Sequence, residues 1–391
     1  MGALAVALAA GMGFADTVWT VNDARTTISD GTWTLNVADY PNLHVLSVAS
    51  GNAATLELND NYVDSSGTPL TGVHIYEVGG TFSGKGNLTT LVIDLPELRR
   101  LGRGAGTGTF AVSSLKSISI NAPKCEILGY QLFSGVNPTE SSFDNWNLPN
   151  LRRIEPRVFH ADGGNTSGPT GTLHLPLLDD VDTILGPTTA SGFSHIGAAS
   201  LILGDATLPS GYTELTKSFV RSTGITNLEL LSRSLTTIRG TCIYSCSSLK
   251  TLTLGGTDFA DPLSSDTPIS YINLDALTIL GHVTPKGTLE KLALTMKSPG
   301  GVMYVSRNQG WSAEALKALG ITAVRTDPAE IAKDSKFKAA YDALTEEQLK
   351  EFICVVNASS RYFSLVHKDS PYELPPAFRL DAHVADDPAR R

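Results

Sequence analysis

A leucine-rich pattern that returns every 20 to 28 residues governs what this chain can become. The arrangement L-x-x-L-x-L, with other apolar residues allowed, occurs at Leu88-Leu91-Ile93, Leu115-Ile118-Ile120, Phe143-Trp146-Leu148 and Ile225-Leu228-Leu230. It returns at Leu249-Leu252-Leu254, Ile269-Ile272-Leu274 and Leu289-Leu292-Leu294, with shorter copies at Leu173-Leu175 and Leu201-Leu203. Counted on the middle residue, successive copies lie 27, 28, 27, 28, 27, 24, 20 and 20 residues apart. Steps of that size match one strand plus one return segment of a solenoid. Within each L-x-L the two apolar side chains point the same way, because side chains alternate along a strand. One copy cannot bury them alone, so neighbouring copies must stack to complete the core. Second apolar clusters, such as Ile127 with Leu132 and Phe133 or Ile154 with Val158 and Phe159, close each circuit from behind. The expected fold is therefore a repeat solenoid, with a parallel sheet on one side and short helices or turns on the other.

The stretches "IRGTCIYSCSSLKTLTL" (Ile238 to Leu254), "ILGYQLFSG" and "LRRIEPRVF" resemble the BspA-like leucine-rich repeat proteins of bacterial cell surfaces. The resemblance covers about residues 85 to 326. Its last part, "GVMYVSRNQGWSAEALKALGITAV" (Gly301 to Val324), is similar to the segment that often ends such arrays. It implies a leucine-rich repeat fold, export, and adhesion to or recognition of proteins on host or neighbouring cells. It also puts Cys246 at the family's cysteine position, a small buried residue. Cys242 and Cys246 are four apart, too wide at helical spacing for a disulfide between them. Buried thiols, or disulfides to Cys125 or Cys354, are the readings left, since zinc would need two further ligands.

The flanks differ from the array. Residues 1–15 form a possible signal peptide, with an apolar run too short to span a bilayer and small residues at Gly13 and Ala15. Residues 16–84 alternate apolar and polar residues around an Asp30-Gly31 hairpin signal. They read as a β-rich N-terminal cap containing an irregular repeat or two. Residues 85–300 form the array, and 301–326 the segment that terminates it. Residues 327–391 read as a helical C-terminal cap and tail, with Ser335 ahead of Phe337, Tyr341 and Leu344. A Thr345/Gln348 capping box then precedes Leu349, Phe352, Ile353 and Val356.

Chemistry-bearing motifs are scarce. A net charge of -9 without a basic cluster argues against a nucleic-acid partner. "LGRGAGTGTF" lacks the lysine of a phosphate loop, and no G-x-S-x-G occurs. Asp179, Asp180 and Asp182 read as solvated acids before they read as a calcium site. No catalytic residue, metal or cofactor is expected, and no transmembrane segment; the pattern sets no oligomeric state. The exposed strand face is expected to be rich in serine, threonine and asparagine. Its central polar residues, Asn145, Asn147, Asn227, Glu229, Tyr271 and Asn273, are the candidate contacts for a protein or cell-surface ligand. The expected function is that of a secreted or cell-surface, non-enzymatic binding protein. The alternative is a parallel β-helix polysaccharide lyase or hydrolase, which needs carboxylates or bases converging from neighbouring turns.

Overall fold

The leucines of the repeat stand in line because their strands pair in parallel and in register. A computed structural model describes residues 17–104, 108–159 and 168–180 and most of 193–255. Beyond 255 it describes the backbone of strands at 258–259, 269–270, 276–279, 282–283, 301–305, 324–325, 352–357 and 362–367. In a first four-stranded sheet, Thr55–Asn59, Thr90–Asp94, Ser117–Asn121 and Trp146–Asn147 lie side by side. Leu56, Leu91 and Ile118 face one another across the strands, as do Leu58, Ile93 and Ile120, and all six are buried. A second, nine-stranded sheet repeats the pattern with Leu173, Leu201, Leu228 and Leu252, again buried. The molecule is a β-solenoid built on parallel sheets.

Each turn has three sides. After the first-sheet strands the chain bends through Leu95-Pro96-Glu97-Leu98, Ala122-Pro123-Lys124-Cys125 and Leu148-Pro149-Asn150-Leu151. In each bend the fourth N–H bonds the first carbonyl, at 3.1, 2.9 and 3.1 Å. Proline suits the second position of such a bend because its φ is already set. The two-residue strands Arg100–Leu101, Ile127–Leu128 and Arg153–Ile154 follow, paired in parallel. The third side is an aromatic stack: Phe82 on Phe110 at 4.7 Å, Phe110 on Phe133 at 6.1 Å and Phe133 on Phe159 at 5.6 Å. In the later turns the return is again made of two-residue strands, including Glu214–Leu215 and Val220–Arg221. Among the described residues only Phe143–Asn145 is helical, a single 3-10 turn, so the return, expected as short helices or turns, is made by bends and two-residue strands.

The cap is a four-stranded antiparallel meander, Trp19–Val21, Thr27–Ser29, Thr34–Ala38 and Asn42–Ser50, turning at Gly31 as expected. Its last strand pairs in parallel with His74–Val78, which pairs with Arg100–Leu101, so cap and array share one sheet. The cap also covers the first strand of the other sheet. Thr55 and Glu57 turn their carbonyls away from Thr90–Asp94, where an uncovered edge would invite pairing with another chain. Trp33 Nε1 donates to the Thr55 carbonyl at 2.7 Å and Trp19 Nε1 to that of Glu57 at 3.2 Å.

Three expectations are corrected. First, the chain enters the fourth strand through the 3-10 turn Phe143–Asn145, so Trp146 pairs with Ile120 and Asn147 with Asn121, two residues later than the leucine alignment. Second, Leu252 pairs with Leu277, and Leu277 with Met303, where Ile272 and Leu292 were expected. Ile269–Ser270 belongs to a return sheet with Ile243–Tyr244. The 20-residue step fitted the leucines, but a three-sided turn uses more chain: 25 residues from Leu252 to Leu277 and 26 to Met303. Third, Phe352, Ile353 and Val356, expected on a helix, lie in strand Phe352–Asn357, antiparallel to Tyr362–His367. Pairing at the sheet end outweighs a helical spacing in a segment rich in valine and isoleucine. The capping box, Leu292 and the segments at 1–16 and 335–351 lie outside the described residues.

Candidate interaction face

The outward residues of the first sheet hold one another. Asn147 Nδ2 donates to Asn121 Oδ1 at 2.8 Å, and Asn121 Nδ2 to Asp94 Oδ1 at 2.8 Å. The strand register alone stacks these three side chains, because parallel strands put equivalent residues opposite one another. On the second sheet Asn227 Nδ2 donates to Ser200 Oγ at 2.9 Å and to Glu229 Oε1 at 3.1 Å, and its Oδ1 accepts the Thr251 hydroxyl. Both amide hydrogens of Asn227 are therefore committed inside the fold. Asn227 and Glu229 are half-buried neighbours on one strand.

The six sequence candidates do not form one patch. Asn145 and Asn147 are exposed and adjoin each other at the end of the first sheet. Asn227 and Glu229 lie in the second sheet, and Tyr271 and Asn273 lie outside the described residues. The strand that continues the face there is Ala276–Ile279, so Thr278 takes the place beside Thr253 that the leucine alignment assigned to Asn273. Asn145 is on the 3-10 turn rather than a strand, and its main-chain carbonyl accepts the Ser119 hydroxyl at 3.3 Å.

Asn145 and Asn147 stand where the two sheets meet but do not pair strand to strand. Single bridges at Ser142/Thr170 and Arg153/Asp180 join the turns. Between them, Asp144 Oδ1 accepts the Thr172 N–H at 2.9 Å, doing what a strand carbonyl would do. Its Oδ2 accepts the Ser142 hydroxyl at 2.9 Å. Side chains likewise serve the strand left without a full partner: Ile118 N–H donates to Ser141 Oγ at 2.7 Å, and Ile118 carbonyl accepts Trp146 Nε1 at 3.2 Å. Gly171 permits this contact, since a Cβ there would overlap the Ser142 and Asp144 side chains. Nothing in the leucine pattern announces Asp144; a serine two residues before an acid at an irregular copy was the available signal.

Charges line the corner beside this face. Arg99 pairs with Glu126 at 2.8 Å, Lys124 with Glu97 at 2.5 Å, and Arg152 with Asp179 at 2.9 Å. Asp180, expected as a solvated acid, lies 3.4 Å from Arg153. Deeper in, Glu155 is buried, accepting Arg100 Nη2 at 2.7 Å and Tyr130 N–H at 2.9 Å. At the cap seam Asp60 Oδ2 lies 2.9 Å from His74 Nδ1; burial raises the Asp60 pKa, against the opposing pull of that contact. Glu57 and Asp94 stand on neighbouring strands, a juxtaposition missed because the sequence alignment began one strand later. Glu57 accepts Thr17 and Asn59 side chains, and Asp94 accepts Asn121. Cys125, Cys242 and Cys246 are buried and form no disulfide; burial pushes Cys125 up to about 12 and raises Cys242 as well. Among the described residues no group of His, Cys, Asp and Glu could hold a metal ion.

No family model matches the chain, and no curated protein matches it. Among solved structures, a leucine-rich cell surface protein from Faecalibacterium prausnitzii A2-165 is similar at 13% identity, over 75% of this chain and 97% of its own, with a TM-score of 0.25. A TM-score that low carries no argument, so the fold rests on the strand pairing described above.

Proposed function

We propose that this chain is an exported or cell-surface leucine-rich repeat protein of the BspA-like kind that binds a protein or other polymer partner through its outer strand face, without catalysis. The observation that carries this reading is the pair of outward sheet faces, on which Thr90, Ser117, Ser119, Asn121, Ser200, Asn227, Thr251 and Thr253 alternate with buried leucine and isoleucine. Asn145 and Asn147 are their exposed amides, Asn147 giving one amide hydrogen to Asn121, while Asn227 is half-buried with both amide hydrogens committed. Interface energy gathers in a few central residues. Asn145→Ala with Asn147→Ala should therefore reduce binding of labelled protein to epithelial or bacterial cells by about tenfold. Cytometry on the folded variant measures this, and unchanged binding would move the contact surface elsewhere.

A polysaccharide lyase or hydrolase is the second reading. The three-sided parallel turn and the neighbouring carboxylates Glu57 and Asp94 favour it. It requires that the purified protein release reducing ends or unsaturated products from acidic or neutral polysaccharides, and that Asp94→Asn abolish the release. Absence of product across such a panel removes this reading.

A further inference from the structure

At the seam between cap and array, strands Asn42–Ser50, His74–Val78 and Arg100–Leu101 run side by side and in parallel. Beside them opens a cavity of about 280 Å³, lined by His44, Leu46, Glu77, Gly79, Arg103 and Gly104. Leu46 and Val18 are the exposed large apolar side chains among the described residues, and Leu46 borders this cavity. A single exposed leucine is ordinary. Here, however, it stands beside charges of both signs. His44 Nδ1 lies 3.2 Å from Asp39, which leaves Nε2 for a ligand. Glu77 Oε1 is a distant 4.0 Å from Arg100, whose Nη2 is committed to Glu155 at 2.7 Å. Arg103 is exposed and makes no ion pair among the described residues.

We propose that this cavity binds a small zwitterion with an aliphatic arm, a free apolar α-amino acid. The Arg103 guanidinium takes the carboxylate, for which its forked donors are suited. Glu77 takes the ammonium group, and the aliphatic arm covers Leu46. The volume lies just under the usual range for drug-sized ligands, which suits a metabolite of this size. Because both charges are partly solvated, affinity is modest. Gly79 keeps the floor open: a Cβ there would stand 3.2 Å from Glu77 Oε1, a flexible neighbour, so Gly79→Ala fills the space at little cost to folding.

Saturation-transfer NMR on the full chain tests this with three probes: L-leucine, isocaproate, which lacks the ammonium group, and isoamylamine, which lacks the carboxylate. Leucine is expected to give a saturable signal, with each single-charge analogue at least about tenfold weaker. Arg103→Gln should bring leucine down to the level of isoamylamine, Glu77→Gln to that of isocaproate, and Gly79→Ala should weaken all three. Unchanged melting temperatures in the variants keep the comparison on binding. The proposal is overturned by absence of a saturable leucine signal at tens of millimolar, by isocaproate binding as well as leucine, or by Arg103→Gln binding leucine normally.

Discussion

The indole of Trp33 has one hydrogen to donate, and it goes to the Thr55 carbonyl on an edge strand. Trp33 itself is fully buried, while Thr55 is exposed on its edge, so the bond is shielded on one side only. Trp33→Phe keeps most of the apolar surface but removes that bond, which should cost ~0.5–1.5 kcal/mol, read as a lowered urea midpoint. Cys125 illustrates a different residue-scale effect. It fills the place that Leu98 and Leu151 take in neighbouring bends, and burial holds its thiol neutral up to about 12, against 9.0 for a free thiol. The folded state thus keeps the proton that the unfolded state loses. Its contribution is intact below pH 9 and declines as pH rises from 9 towards 12. Stability should fall over that window, less steeply in Cys125→Val. A disulfide-exchange reagent at neutral pH should label Cys125 only when the protein unfolds.

At the scale of elements, the 3-10 turn Phe143–Asn145 is where one sheet ends and the next begins. Asp144 lends a carboxylate to the Thr172 N–H, so the second sheet starts against a side chain rather than a strand. Asp144→Ala should accelerate hydrogen exchange at Thr172 by ~10–100-fold, the equivalent of one lost bond to a charged acceptor. Exchange at Ile120, held between two strands, should not change, and Asp144→Asn, which keeps the acceptor oxygen, should restore most of the protection at Thr172. Equal acceleration at both amides would mean that the turn is not a local joint.

Across the whole molecule, each turn rests on its neighbours alone, which makes stability a near-neighbour property. Leu228 lies between Leu201 and Leu252 and is fully buried. Leu228→Ala should cost ~2–5 kcal/mol, as other leucine truncations do. Hydrogen exchange should show the loss in the sheet that starts at Gly171–Leu175, with the sheet of Thr55–Asn59 to Trp146–Asn147 little affected. Uniform loss over both sheets would instead describe a single cooperative unit. The same arrangement divides the outer face, since Asn147 and Asn227 belong to different sheets.

Which side of a strand enters the core is a local property, and alternation made it legible: Leu91 with Ile93 and Leu252 with Leu254 are buried as their spacing required. Parallel stacking followed as well, because copies that cannot bury their own leucines have only one another. Some of the rest was visible in the chain, notably the L-P-x-L bends, and the strand-like "TLELN" of the N-terminal region proves to start the ladder. Register at Trp146 was another matter. Phe143, Trp146 and Leu148 satisfy the leucine template, but the Phe143 N–H bond to the Thr170 carbonyl and the Asp144 contact with Thr172 shift the strand by two residues, and those bonds exist only once Thr170 and Thr172 are adjacent. Ile272 likewise fits the template, yet Leu277 takes the place beside Leu252. Composition selects residues suited to an interior; closing a three-sided circuit and satisfying every strand edge select which of them become partners.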